Sequence, residues 1–204
     1  MHCRKGKARM LQTIPSSIKI QKMTNQEATV AQKWAIDPAH TEVVFKVKHL
    51  VITTVSGTFS AFDGEVYSEN DDFDGAEVNF SIDVNSISTN NTDRDNHLKS
   101  NDFFAADQYP KITFENGILR KTTSGDYKLT GDLTIRDVTK PIELAVDYNG
   151  TVKDPWGNAK AGFEISGILN RKDFGLVWNA LTEAGSMLVA EEVKLAISAQ
   201  LAVA

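Results

Sequence analysis

Apolar and polar residues alternate along most of this chain, and that period of two restricts it to β-structure. Between Thr41 and His49, the apolar residues Val43, Phe45 and Val47 occupy every second position, with charged residues between most of them. Successive side chains of a strand point to opposite faces, so such a run predicts a strand with one buried face. Further strand-like runs lie at 33–37, 55–67, 76–83, 111–114, 127–135, 142–148, 161–169 and 193–201.

The predicted strands number about eight or nine, and short turns such as 124–126 and 154–158 separate most of them. Short connections favour consecutive antiparallel strands, and closure of the sheet removes its exposed edges. The predicted fold class is therefore all-β, an up-and-down antiparallel barrel. Gly57 and Gly64 lie within the run 55–67 and predict bends or bulges in the curled sheet.

A barrel of about eight strands either fills with side chains or holds one small ligand. An apolar lumen would suit an extended hydrocarbon ligand, because burial of apolar surface would supply the binding free energy. Periodicity alone leaves a core filled by the same side chains as the alternative. The residues predicted to line the lumen are Val43, Phe45, Val47, Phe59, Phe62, Phe80, Ile82, Phe114, Leu133, Phe163 and Ile165.

One polar segment, between positions 90 and 104, interrupts the strand pattern. It concentrates charged groups, among them Arg94, Asp95 and His97, and it ends with Phe103 and Phe104. The segment is too long for a hairpin turn, so it predicts a short helical lid near residues 92–104. Binding residues concentrate where a regular scaffold is interrupted, which makes this segment a candidate functional site.

A second polar segment, 68–75, carries four carboxylates, from Glu69, Asp71, Asp72 and Asp74. It predicts a solvated loop, because it lacks the aspartate spacing and the terminal glutamate of a calcium-binding loop.

The charge of the chain is unevenly distributed. The net charge is −5, but residues 1–22 hold six basic side chains and no acid, so the remainder carries 16 basic and 27 acidic groups, a net of −11. An acidic body disfavours nucleic acid and anionic membrane surfaces as partners. No apolar run reaches the ~18–20 residues that span a bilayer, so stable membrane insertion is not expected.

Residues 1–32 are interpreted as a basic to polar leader, either a disordered arm or a start assigned too early. Its most apolar stretch is broken by polar residues, unlike the uninterrupted core of a secretory signal. We therefore expect a cytoplasmic protein, or a periplasmic one if the true leader is missing. The single cysteine, Cys3, lies in this leader, so the sequence predicts no intrachain disulfide.

The sequence contains no nucleophile elbow, no phosphate-binding glycine loop and no dinucleotide fingerprint. A metal-assisted enzyme that uses His40, His49 and His97, with Asp95 as a further ligand, is the enzyme alternative. No paired-histidine motif supports it, so we predict no metal and no catalytic residue.

Two further motifs have structural and functional interpretations. Arg94 would tie its loop to a carboxylate or carbonyls, or would meet the head group of a ligand together with His97. In the segment 170–175, a turn in which Arg171 pairs with Asp173 and Gly175 takes a positive φ is expected. Trp178 follows and could cover a ligand or seal the barrel end.

Ten short motifs, in order, resemble those of the YceI-like family of lipid- or polyisoprenoid-binding proteins, from about Lys33 to Leu201. They are WAIDPAHT from Trp34, FKVKH from Phe45, VSGTF from Val55, SIST from Ser86, RDNHL from Arg94, DFF from Asp102, YPKITF from Tyr109, GDLTI from Gly131, VTKP from Val138 and NRKDFG from Asn170. Each motif alone is weak, but the ordered set is specific.

This resemblance implies an extended, lipocalin-like antiparallel barrel over 33–202 that binds, stores or transports a long-chain amphiphile without catalysis. The ligand would be an isoprenoid, a quinone or a fatty-acid-like lipid, with no other cofactor. The family is bacterial and associated with stress responses, and a homodimer is compatible with the sequence. Residues expected to form the lid or to meet the head group are His49, Arg94, Asp95, His97, Phe103, Phe104 and Trp178.

Overall fold

The computed structural model describes residues 31–69, 71–180 and 188–204, and its regular elements are almost all strands. The predicted leader thus lies almost wholly outside the described residues. The strands are β1 (Gln32–Ile36), β2 (Glu42–His49), β3 (Thr53–Phe59), β4 (Phe62–Ser68), β5 (Glu77–Asp83), β6 (Ile87–Ser88), β7 (Lys111–Lys121), β8 (Tyr127–Ile135), β9 (Val138–Lys153), β10 (Ala159–Asn170) and β11 (Val189–Val203). One α-helix, α1 (Thr92–Lys99), and three short 3-10 helices (Pro38–His40, Val84–Ser86 and Arg171–Phe174) complete the described elements.

The strands close into an antiparallel barrel of eight strand positions. The ring runs β1–β4–β5–β7–β8–β9–β10–β11, and β11 pairs with β1 to close it. The long strand β11 also pairs with β2, so β1 and β2 follow one another along the same neighbour. In the same way β3 and β4 are two parts of one strand position, and β6 continues the line of β5. The predicted lipocalin-like barrel of about eight strands is confirmed.

Pro38 explains the break between β1 and β2. A proline lacks the N–H that a ladder needs, and here it begins the 3-10 turn Pro38–His40. The single run predicted at 55–67 is likewise divided, because Ser60 and Ala61 leave the ladder between β3 and β4. The run predicted at 111–114 continues to Lys121 as β7.

Gly57 makes room for an aromatic ring of the neighbouring strand. The β2–β3 register is continuous across it, and a Cβ at Gly57 would lie only 2.2 Å from Cζ of Phe45 on the neighbouring strand. Gly64 likewise faces Phe80, at 2.7 Å from Cδ2. The predicted bulges at these glycines are wrong; the register shifts lie elsewhere, for example between Val78 and Phe80.

The acidic loop after β4 folds over one end of the barrel, so the predicted solvated loop is wrong at its centre. Phe73 is only 1% exposed, and its ring centroid lies 5.1 Å from that of Trp34 and 5.1 Å from that of Phe163. The hydroxyl of Tyr127 donates to the carbonyl oxygen of Asp72. We call the rings of Trp34, Phe73, Tyr127, Tyr148 and Phe163 the plug.

The chain from Thr89 to Pro110, which contains α1, lies at the opposite end, where we call the segment 89–110 the lid. The lid bonds to the β8–β9 turn, since Nη1 of Arg136 donates to the carbonyl oxygen of Phe103 at 3.2 Å. None of the described helices is long and apolar enough to cross a membrane.

Candidate functional site

The barrel encloses an apolar cavity of about 390 Å³. This volume falls within the ~300–1,000 Å³ typical of small-molecule sites, so the described side chains do not fill the interior. Ten of the eleven predicted lumen residues line the cavity: Val43, Phe45, Val47, Phe59, Phe80, Ile82, Phe114, Leu133, Phe163 and Ile165. The eleventh, Phe62, packs against the ring of Phe80 at 5.8 Å and is not among the lining residues.

Sequence reasoning left out many lining residues of the later strands. Leu144 and Val146 of β9, and Val193, Leu195 and Ile197 of β11, also line the cavity. All five occupy the apolar positions of runs that the alternation had already marked, so the same signal could have found them.

The cavity extends between the two ends of the barrel. Among the plug rings, Phe163 lines it, whereas Trp34, Phe73, Tyr127 and Tyr148 do not. At the other end, the lining includes the lid residues Arg94, His97, Leu98, Phe103 and Phe104, with His49 and Trp178. The plug therefore closes one end, and the lid residues border the cavity at the other.

Local sequence explains why α1 is short. Asn91 is the N-cap, and its Oδ1 accepts a hydrogen bond from the N–H of Arg94 at 2.9 Å. Asp93 and Asp95 lie in the first turn and Lys99 in the last, an arrangement that complements the helix dipole. Ser100 ends the helix, because both its N–H and its hydroxyl bond to the carbonyl oxygen of His97.

Thr89 joins Arg94 and Asp95 into one network that fastens α1 to β6. The hydroxyl of Thr89 donates to Oδ1 of Asp95 at 2.5 Å and accepts from Nε of Arg94 at 2.7 Å. The guanidinium also donates to the carbonyl oxygen of Thr89 at 2.8 Å, and the N–H of Thr89 donates to Asp95. This agrees with the structural interpretation of Arg94, although sequence reasoning did not single out Thr89, which is buried.

His97, Phe103 and Trp178 meet beside the cavity. The ring centroid of His97 lies 4.7 Å from that of Trp178 and 5.1 Å from that of Phe103, edge to face in both pairs. Nε2 of His97 lies 3.0 Å from Oδ2 of Asp102. The structure thus brings together three residues predicted for the lid or head group, and packs Phe104 against Phe59 at 6.3 Å.

Arg171 is a buried cation, 5% exposed, whose described partners are backbone carbonyls. Its guanidinium donates to the carbonyl oxygens of Ala190, Leu176, Trp178 and Val189. The predicted Arg171–Asp173 pair is therefore wrong. Burial lowers the pKa of Arg171, and the nearby Glu191 carboxylate partly offsets that effect.

These four bonds hold the segment after the 3-10 helix Arg171–Phe174 against the start of β11. Gly175 ends that helix with a φ of 75°, as the sequence predicted, and its left-handed backbone suits glycine.

The three histidines of the enzyme alternative do not form one site. His40 bonds to Oδ2 of Asp37 at 3.1 Å and does not line the cavity, whereas His49 and His97 do. Within the described ranges, no three side chains of histidine, cysteine, aspartate or glutamate lie close enough together to hold a metal ion. The proposed metal ligands of the enzyme alternative are therefore separated, with His40 outside the cavity and the other two histidines on its lining.

Comparison with known proteins agrees with this architecture. A family model described as a YceI-like domain matches residues 34–201. A UPF0312 protein of Staphylococcus aureus strain N315 is 36% identical over 171 residues, which cover 83% of this chain and 97% of that protein.

Solved structures show the same fold. The crystal structure of a Campylobacter jejuni YceI protein aligns with a TM-score of 0.61 and 31% identity, covering 82% of this chain and 96% of that one. A polyisoprenoid binding domain from Saccharophagus degradans, implicated in plant cell wall breakdown, aligns with a TM-score of 0.61 over 84% of this chain and 98% of that one. At 14% identity, that second likeness concerns the fold alone.

A closed antiparallel barrel around an apolar cavity, with one short helix at its end, defines a lipocalin-like class of protein. Within that class, the chain belongs to the YceI-like family, as its ordered motifs predicted.

Proposed function

We propose that this protein binds a long-chain amphiphilic lipid, such as a polyisoprenoid, a quinone or a fatty-acid-like molecule, and stores or transports it without catalysis. The observation that carries the proposal is the closed barrel around a cavity of about 390 Å³ whose lining is almost wholly apolar. Family membership and the printed name of the Saccharophagus degradans domain support it. Each 100 Å² of buried tail would contribute roughly 2.5 kcal/mol before the cost of ordering the ligand.

The head group of the ligand would lie at the lid. Polar groups that border the cavity there include those of Arg94, His97, His49, Lys48 and Trp178, whereas the plug closes its end with aromatic rings. Arg94 already donates to Thr89, and His97 contacts Asp102. A head group would therefore meet side chains whose positions are fixed by neighbours, which lowers the ordering cost of binding.

Filling the cavity tests the proposal. Ile197 faces the cavity from β11, and its neighbour Ala196 is exposed on the outer face. Ile197→Trp should occupy part of the lumen and lower the affinity for a long-chain fluorescent fatty acid at least tenfold. The matched variant Ala196→Trp adds the same ring outside and should leave the affinity unchanged.

Native mass spectrometry of the purified protein supplies the second measurement. A lipid adduct should accompany the wild type and the Ala196→Trp variant, and should be lost from Ile197→Trp. Equal probe affinity in both variants, or no binding of long-chain probes by the wild type, would contradict the proposal and favour a barrel without a lipid ligand.

A further inference from the structure

The hairpin between β2 and β3 exposes apolar side chains at the lid end. Val51 is 75% exposed and Ile52 is 79% exposed. Leu50 and Val51 have φ values of 52° and 65°, and left-handed backbone is unfavourable for such residues, above all for a β-branched valine. Because these apolar side chains lie outside the barrel, their burial contributes nothing to the stability of the isolated protein.

Lysines lie along the strands that lead to this hairpin tip. Lys46 and Lys48 alternate along β2 with the cavity residues Phe45 and Val47, and Lys46 pairs in register with Lys194 of β11. We call Lys46, Lys48 and Lys194 the basic strip. All three are exposed, and none forms an ion pair with another residue of the described ranges within 4.0 Å.

Like charges opposite one another on paired strands are unfavourable, so the Lys46–Lys194 pair has an electrostatic cost in the isolated barrel. Glu192, two residues before Lys194, is the exposed acid nearest to the strip along β11. Glu42, four residues before Lys46 on the same face of β2, is a second exposed acid. Three lysines against these two carboxylates leave this face locally basic, in a chain whose net charge is −5.

The tip and the strip adjoin the cavity. His49 and Lys48, the last residues of β2, contribute to its lining, and so does Leu188. The N–H of Leu50 donates to the carbonyl oxygen of Leu188 at 2.9 Å, which fixes the hairpin to the start of β11. The described ranges contain seven exposed large apolar residues. Two more of them lie in segments next to β11: Ile168 on β10, and Val177 in the segment after β10.

We propose that the hairpin tip and the basic strip bind the surface of an anionic lipid bilayer, with Val51 and Ile52 inserted at the interface. Inserted apolar side chains and lysines near anionic head groups are the two signals that peripheral membrane binding combines. The purpose of this docking, to exchange a lipid between bilayer and cavity, rests on the proposed function. The docking itself stands on the exposed tip and its neighbouring charges.

A bilayer fits this surface better than a protein partner does. Specific protein interfaces bury about 800 Å² on each partner, whereas two side chains at a hairpin tip offer a small fraction of that area. Charges beyond a Debye length of about 8 Å are largely screened at physiological ionic strength, so the acidic groups at the opposite end of the barrel do not prevent the contact.

Vesicle sedimentation tests the proposal with the full chain. The wild type should bind vesicles of phosphatidylcholine and phosphatidylglycerol and should bind pure phosphatidylcholine more weakly. Ile52→Asp should weaken binding to the mixed vesicles roughly tenfold, and Lys48→Gln about fivefold. The controls Val152→Asp and Lys153→Gln alter exposed residues of β9, near the opposite end, and should bind like the wild type.

An environment-sensitive dye gives a reading that does not depend on affinity. In a Cys3→Ser background, a dye on Ile52→Cys should shift to shorter wavelength with mixed vesicles, and a dye on Val152→Cys should not. Failure of the wild type to sediment with mixed vesicles, or equal losses in Ile52→Asp and Val152→Asp, would overturn the proposal. So would identical dye spectra at the two positions.

Binding of a long-chain fluorescent fatty acid in vesicle-free solution separates this proposal from the proposed function. Ile52→Asp should keep the wild-type affinity for that probe. Vesicle binding without probe binding would support the docking surface and contradict the lipid carrier. Probe binding without vesicle binding would support the lipid carrier and contradict the docking surface.

Discussion

The plug and the lid close the same barrel by different means. At the plug, Phe73 lies among rings, 1% exposed, and the surrounding contacts are largely between aromatic faces and edges. At the lid, a polar helix with no buried residue is held by the hydrogen bonds of Thr89, Arg94 and Asp95.

This difference suggests a division of roles. Removal of a buried ring leaves a cavity and costs stability directly, whereas bonds to partly exposed groups can be exchanged for bonds to water. We therefore expect the plug to maintain the fold and the lid to control access to the cavity.

The largest expected effect is at the plug. Phe73→Ala should lower the free energy of unfolding by about 3–5 kcal/mol, because the ring is fully buried and its neighbours cannot close the space completely. Urea denaturation measures the change. Trp156→Ala, on an exposed residue of the β9–β10 turn, is the control and should change stability by less than about 0.5 kcal/mol. A loss below about 1 kcal/mol in Phe73→Ala would contradict the assignment of the plug.

Thr89→Val tests the lid and should cost less, about 1–2 kcal/mol. The change keeps the shape of the side chain but removes the hydroxyl that joins Arg94 to Asp95, and both groups are partly accessible to water. Amide hydrogen exchange should be faster in α1 and unchanged in the plug strands. Thr54→Val, on an exposed position of β3, is the matched control. Equal acceleration in all strands would mean that the lid does not open separately from the barrel.

Trp178→Ala should have a smaller effect on stability, about 0.5–1.5 kcal/mol, because it removes the ring contacts with His97 and Phe103. If the lid retains the ligand, the dissociation rate of a bound long-chain fluorescent fatty acid should rise several-fold in stopped-flow displacement. Trp156→Ala provides the tryptophan control for this measurement as well. An unchanged dissociation rate in Trp178→Ala would place the exit route of the ligand elsewhere.

The sequence predicted the cavity lining better than it predicted the plug, and the reason is physical. Alternation marks residues that share the inner face of a regular strand, so it identified ten cavity-lining positions on β2, β3, β5, β7, β8 and β10. Phe73 lies in a loop among four carboxylates, where composition indicates solvent and no period applies. Its burial follows from the position of the loop over the barrel end, which is a tertiary effect.

Hydrogen-bond networks were predictable only in part. Arg94 and Asp95 drew notice because they are charged, but the buried hydroxyl of Thr89 between them carries no such signal. Arg171 shows the same limit: its partners are four carbonyls from segments up to 19 residues away, and backbone groups are invisible to residue patterns. The family motifs contain Arg94 and Arg171 but do not show which groups either residue bonds to.

The smallest effect is expected from pH, and it concerns a polar anchor on the plug side of the barrel. Burial tends to raise the pKa of Asp37, but donors from Lys160, His40 and Gln200 lower it below its ordinary value of 3.8. A carboxyl whose pKa is lower in the folded state stabilises that state above its unfolded pKa, and the contribution is lost as pH falls through the folded value.

Unfolding free energies measured by urea from pH 7 to about pH 3 test this anchor, since the unfolded carboxyl titrates near pH 4. The wild type should be more stable than Asp37→Asn at neutral pH, and the two should converge as the carboxylate becomes protonated. Asp63→Asn, on an exposed position of β4, is the control and should not reproduce the convergence. A difference between wild type and Asp37→Asn that stays constant across the range would show that the charge of Asp37 does not contribute to stability, because only a charge contribution changes as the carboxyl is protonated.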